Sequence, residues 1–362
     1  MPDTLSGMAQ LDLSLDAVAL TEALCNIESV SRDEQQIADA IEAALAPVEH
    51  LELIRHGNSL VARTDLGRGE RVVIAGHIDT VPLNGNLPVR NDGTFLHGLG
   101  TCDMKGGVAV GLKLAHGVDT PNRDVTYVFY ESEAIDDRFN GLRLIGDARP
   151  DLLRADFAIL MEPSEAVVEA GCQGTLRVEV RTKGERAHPA RSWNGVNAIH
   201  GAADVLARLN DYTARRPTID GLEYHEGLNA VLISGGVATN VIPDECVVTV
   251  NYRYAPDRSE EEAQAFVRDV FGGFDVTVVD SAPGALPGLG VPAAKAFVEA
   301  IGGEPKPKFG WTDVARFSRL GVPAVNYGPG DPSYAHKADE HVPIEQIRRC
   351  EETLRRWLGG AA

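Results

Sequence analysis

Residues 71–82 read RVVIAGHIDTVP. Val72 to Gly76 is an apolar run with none of the polar alternation of a half-wet strand. It therefore predicts a strand buried on both faces, the kind found in parallel sheets covered by helices. The run stops at His77, and Asp79 follows two residues on. In open α/β sheets, ligands collect in the crevice beyond the carboxyl ends of the strands. Imidazole is a good ligand for zinc, and a carboxylate two residues away can hold the other ring nitrogen. Taken alone, a His-x-Asp pair is more often an ordinary surface pair.

Working outward, SLVAR (59–63), VTYVFY (125–130), FAILM (157–161) and VPAVNYG (322–328) are further strand-like runs. Helical stretches are expected at 15–28, 32–46, 104–118, 138–147 and 343–358. The second of these opens with Ser31-Arg32-Asp33-Glu34, the spacing of a capping box. Strands alternating with helices predict an α/β fold: a mixed, mainly parallel sheet flanked by helices. The texture changes near Gly174. TLRVEVRTKG alternates polar and apolar residues at period two, and LNAVLIS, CVVTVNYRY and DVTVV follow, with helices expected at 194–210 and 259–271. That section predicts an inserted α+β domain of antiparallel sheet plus two helices, closed by the Gly/Pro-rich SAPGALPGLGVP. The division is then 1–173 and 286–362 for the first domain and 174–285 for the insertion.

The chain has 362 residues, and its 53 acids against 34 bases give a formal charge of −19. That balance disfavours nucleic acid and anionic membranes as partners. No apolar run approaches the roughly 20 residues of a membrane span. The N-terminal MPDTLSGMAQLDLSLD lacks the basic and apolar segments of a secretory signal. Five scattered cysteines without a CxxC fit reduced thiols, so a cytoplasmic protein is expected.

Other candidates recur at matching places. Asp103 lies in GLGTCDMKGG, Glu133 follows VTYVFY within VFYESEAI, Glu162 follows FAILM, and His336 lies in the loop after AVNYG. Each has an ordinary explanation by itself; Asp103, for one, is a favoured helix cap. Together with His77, five such residues just past strand ends are harder to assign to chance. Two histidines with several carboxylates suit one or two zinc-like ions. GLGTCD is not GxGxxG, which argues against a dinucleotide-binding oxidoreductase.

In order, GHIDTVP, GLGTCDMKGG, the ESEA stretch, MEPS and AHK resemble the M20 family of metal-dependent amidohydrolases and peptidases. GCQGTLRV, GERAHPARSW, GGVATNVIPDE, NYRYAPDRS and KFGWTDVARF are similar to its actinobacterial succinyl-diaminopimelate desuccinylase type. The resemblance implies a zinc-peptidase fold whose inserted domain serves as lid and dimerisation domain. It further implies one or two Zn2+ per chain, with Co2+ able to substitute. His77 and Glu162 would hold one ion, Asp103 would bridge, and His336 would serve the second. Asp79 would orient His77, and Glu133 would be the general base. His188 would reach across a homodimer interface to the partner's site. Asn240, Arg253, Thr312 and Asp313 would contact a small N-acyl amino-acid substrate, N-succinyl-LL-2,6-diaminopimelate in that subgroup. From the residues alone, His188 also reads as a surface loop histidine, Asn240 as a turn residue and Arg253 as a solvated strand arginine. Other acyl preferences, of the acetylornithine deacetylase or aminoacylase type, share the same metal site.

One position departs from the family pattern. The family carries two adjacent glutamates after the strand, a base and then a ligand of the second metal; here the pair is Glu133-Ala134. A methyl group cannot coordinate zinc. Glu131 begins about 10 Å back along a strand and points to the opposite face. Three readings stay open: an enzyme with a weak second metal, a substitution introduced into an ordinary enzyme, or a non-catalytic, zinc-bound pseudoenzyme dimer.

Overall fold

The computed structural model describes residues 10–359; the first nine residues of the N-terminal segment discussed above lie outside them. The chain forms two compact units. One comprises residues up to Ala170, Gly288–Lys306 and residues from Arg316 on; the other comprises Gly171–Pro287 and Pro307–Ala315.

The first unit is built on a mixed sheet. Its strands run in the order Glu52–His56, Ser59–Arg63, Asp124–Tyr130, Arg71–His77, Phe157–Leu160, Ala324–Asn326 and Glu169–Ala170, with backbone at Lys306 on the far edge. The central four are parallel, with His77 opposite Tyr130, Ala75 opposite Leu160 and Asn326 opposite Leu160. Every residue of Asp124–Tyr130 is buried, as is Arg71–His77 apart from its first residue. Both faces are therefore covered, which explains the continuous apolar runs. Helices Ala17–Cys25, Gly106–Gly117 and Ile344–Trp357 pack on one another, and Gly106–Gly117 also packs on the two central strands. Because these four strands are parallel, His77, Tyr130, Leu160 and Asn326 bring their following loops to one edge.

The second unit is a four-stranded antiparallel sheet in the order Gly227–Gly235, Glu245–Tyr254, Gly174–Lys183, Asp275–Ala282. Helices Ala198–Asn210 and Glu260–Val270 pack against it. Burial alternates along Gly174–Lys183 and Glu245–Tyr254, and the inward residues Leu176, Val178, Val180, Val248, Val250 and Tyr252 form its core with the helices. Ser259 forms a full capping box with Glu262.

The structure corrects two expectations and adds elements that were not expected. The helix expected at 32–46 is Gln35–Leu45 and has no side-chain cap: Ser31 and Glu34 bond elsewhere. Residues 307–315, expected in the first domain, group with the second unit, where Trp311 Nε1 donates to the Pro283 carbonyl at 3.1 Å. The strand Glu52–His56 and the helices Pro292–Ile301 and Val314–Arg319 were not anticipated.

Gly107 shows how closely the layers approach. A Cβ there would lie 2.2 Å from the Met161 carbonyl oxygen and 2.7 Å from the Met161 Cβ, at the strand end that leads to Glu162. Gly69, by contrast, has nothing within 4 Å of a Cβ. Gly107→Ala is expected to destabilise the first unit by about 1–3 kcal/mol through overpacking. Gly69→Ala is expected to leave thermal unfolding unchanged; calorimetry of the two variants checks both.

Candidate metal centre

His77 closes the strand Arg71–His77 and is almost fully buried. The ring is fixed from both sides. Its Nδ1 lies 3.1 Å from the Asp79 carbonyl oxygen and 3.3 Å from Asp79 Oδ1. Its Nε2 lies 3.0 Å from Asp103 Oδ1, and the other oxygen of Asp103 lies 3.1 Å from His336 Nε2. Asp103 thus stands between two imidazoles. Glu162, buried after Phe157–Leu160, completes a cluster: one ligand atom each from His77, Asp103 and Glu162 lies within 4.8 Å of the others.

The donor chemistry fits a cation. If the Nδ1 proton of His77 points to Asp79, its Nε2 lone pair faces a carboxylate oxygen. Two acceptors at 3.0 Å need a proton or a metal ion between them. The protonation tendencies express the same demand. Burial alone would push the His77 pKa down, but bonds to Asp103 and Asp79 raise it well above the ordinary value. The bond to Asp103 likewise raises His336. Burial would raise Asp103, yet its bonds to His336 and His77 hold it well below the carboxylate range. Positive charge is favoured on either side of Asp103, where a divalent ion would replace the protons.

Asp103 is placed by an unusual stretch of backbone. It lies in the tight turn Thr101–Lys105 with extended dihedrals, φ −122° and ψ 95°, before the helix Gly106–Gly117 begins. Glu340 fixes that turn: its Oε1 accepts from the Cys102 and Asp103 amides, both at 3.1 Å. Burial pushes the Glu340 carboxyl up to about 7, although these amides favour its anion. The sequence reading missed Glu340. The only signal was its place four residues after His336, within the loop already singled out.

Asp79 is fully buried. Its Oδ1 accepts from the Glu133 amide at 3.0 Å; its Oδ2 accepts from the Ala134 amide at 3.1 Å and from Ser31 Oγ at 2.7 Å. The turn carrying Glu133 is therefore held by the same carboxylate that orients His77. Glu131 is engaged elsewhere: its Oε1 accepts the Asn58 amide at 2.9 Å, at the hairpin between Glu52–His56 and Ser59–Arg63. It does not stand in for a carboxylate at position 134.

The first unit thus brings together the side chains of His77, Asp79, Asp103, Glu162 and His336, with the backbone of Glu133 bound to Asp79. The other five candidates belong to the second unit. His188 is exposed at the start of the turn Pro189–Asn194, its Nδ1 accepting from the Ala190 amide. Asn240 is exposed in a turn. Arg253 is half-buried on Glu245–Tyr254, with Nε donating to Asn251 Oδ1 at 3.2 Å. Thr312 and Asp313 are buried in the 307–315 segment.

Comparison with known proteins places the chain among relatives. A Mycobacterium tuberculosis (strain ATCC 25618 / H37Rv) chain named as a succinyl-diaminopimelate desuccinylase is 56% identical over 353 residues, spanning 97% of this chain and all of that one. The succinyl-diaminopimelate desuccinylase of Corynebacterium glutamicum is 45% identical over 359 residues, covering 96% of this chain and 97% of its own. Among solved structures, an aminopeptidase of Bacillus cereus superposes with a TM-score of 0.75 at 18% identity, covering 96% of this chain and 98% of that one, and so shares the fold. The model of peptidase family M20/M25/M40 matches residues 73–359, and the chain belongs to that family.

Proposed function

We propose that the chain removes succinate from N-succinyl-LL-2,6-diaminopimelate by amide hydrolysis, a step toward diaminopimelate and lysine. The observation that carries the hydrolytic reading is Asp103 set between His77 and His336 with Glu162 in the same cluster. Succinyl preference is supported by the two desuccinylases, alike along nearly the whole chain. His77 and Glu162 would hold one zinc ion, Asp103 would bridge, and His336 would serve a second; cobalt is a chemical substitute. When bound, such ions polarise the amide carbonyl and acidify the attacking water.

The chain's own residues do the rest. Glu133 accepts the proton of the attacking water and returns it to the leaving nitrogen. Asp79 keeps the His77 ring in one orientation and anchors the backbone of Glu133. His188 steadies the developing oxyanion in the partner's site, while Asn240, Arg253, Thr312 and Asp313 bind the substrate, Arg253 supplying positive charge for its carboxylates. Ala134 leaves the second ion one ligand short, so that ion binds weakly.

A homodimer is supported by the second unit alone. Gly227–Gly235 is an edge strand along which Val231, Leu232 and Ile233 are exposed, and Trp193, Val196 and Ile199 are exposed as well. An uncovered apolar edge invites pairing with another chain. A second copy covering it would let His188 serve the partner's site. Among the described residues no helix is long and apolar enough to cross a membrane. All five cysteines are buried and none is joined in a disulfide, which supports a cytoplasmic setting.

The direct test is release of succinate, in comparison with acetate or a free amino acid, from matched acyl substrates by the metal-loaded protein. Succinate release should dominate; turnover of the acetyl substrate alone would sink the assignment. Chelation should abolish turnover, and metal titration should find one tight and one weak ion per chain. Ala134→Glu should tighten the weaker ion by about 10–100-fold and raise turnover at limiting metal. Two tight ions in the unaltered chain would contradict this. Mixing inactive His188→Ala with inactive Glu133→Ala should restore part of the activity, because a heterodimer holds one intact site; no recovery in a mixture shown to exchange subunits would exclude a shared site.

A further inference from the structure

Glu34 lies outside the residues proposed above to bind metal, substrate or the reacting water. It is fully buried, and its Oε1 accepts three hydrogen bonds: from the Arg32 amide at 2.9 Å, the Ser132 amide at 3.1 Å and the Ser132 hydroxyl at 2.8 Å. Ser132 immediately precedes Glu133 and holds φ at +59°, a left-handed conformation that side chains other than glycine seldom adopt. The next two amides, Glu133 and Ala134, go to the two oxygens of Asp79. Three successive N–H groups are thus received by two buried carboxylates.

One loop controls both. Ser31 donates its hydroxyl to Asp79, and Glu34 takes Ser132. The loop is itself tied to the strand end: Ser31 N donates to the Thr80 carbonyl at 3.0 Å and Thr80 N to the Ser29 carbonyl at 2.9 Å. A carboxylate is disfavoured in this place; burial pushes Glu34 up, the Arg32 and Ser132 bonds only partly opposing it. Starting the helix Gln35–Leu45 does not explain it, since that helix has no side-chain cap. Buried polar groups and left-handed backbone concentrate where geometry matters for chemistry.

We propose that Glu34 is a positioning residue for the general base: by fixing Ser132 it sets the direction in which the Glu133 side chain leaves the backbone. This rests on the reading of Glu133 as the base.

Glu34→Ala, Ser132→Ala and the double variant, in the metal-loaded full chain, test it with two readouts. In each variant the amides of 132–134 should exchange with deuterium faster than in the unaltered chain, while the Arg71–His77 strand keeps its protection. Glu34→Ala removes the accepting oxygen and should lower kcat by about 10–100-fold with KM little changed, the signature of a displaced group rather than lost binding. The double variant should be no slower than Glu34→Ala, because without Glu34 the Ser132 hydroxyl has no linkage left to lose. Unaltered exchange at 132–134, unaltered kcat in folded Glu34→Ala, or losses that multiply in the double variant would each overturn the proposal. Should Glu34→Ala fail to fold, Ser132→Ala answers the same question on the same two readouts. Faster exchange in the variants, alongside an unaltered chain inert toward every amide, would overturn Glu133 as base and leave the Glu34–Ser132 linkage standing.

Discussion

The site depends on one buried carboxylate. Asp79 has no exposure, and an ionised group so placed costs several kcal/mol unless it is paired and hydrogen-bonded. Burial pushes it up, but the His77 ring, the Ser31 hydroxyl and the Glu133 amide outweigh burial and hold it below the ordinary carboxylate value. These partners come from three separate parts of the chain: the end of Arg71–His77, the turn after Asp124–Tyr130, and the loop before Gln35–Leu45. Satisfying Asp79 forces the three together. It also decides the direction of the His77 ring, and so delivers Nε2 to Asp103.

Close backbone packing is the second requirement. Gly106 and Gly107 open the helix that follows Asp103, and a Cβ on either would strike a carbonyl oxygen, that of Thr101 at 2.7 Å or that of Met161 at 2.2 Å. Without side chains there, the helix start lies directly on the strand end leading to Glu162. The two acids of the cluster, 59 positions apart in the chain, thereby share one small volume with His77. Glu340 supports this from behind by binding the amides of Cys102 and Asp103, so the carboxylate facing the imidazoles is carried on a fixed turn.

Ala134 fits the same frame. Its amide is bound by Asp79, as is its neighbour's, so the turn keeps its shape with a methyl group at this position. The scaffold around position 134 needs only the backbone there. Glu131 holds the neighbouring hairpin through the Asn58 amide.

The sequence by itself determined the element types, the two-domain pattern and the loops that carry chemistry. Periodicity and apolar runs report local burial, and parallel strands place every such loop at a common edge. His77, Asp103, Glu162 and His336 were legible on that basis. The tertiary structure decided which side chains answer which. Ser31 and Glu34 have the spacing of a helix cap, yet they bond to Asp79 and to Ser132, 98 residues beyond Glu34. The cap-like pattern is identical in both cases, because only the arrival of a distant donor chooses between them. Glu340 and the allegiance of residues 307–315 were hidden for the same reason: each is fixed by hydrogen bonds to partners remote in the chain, and local sequence carries no trace of these.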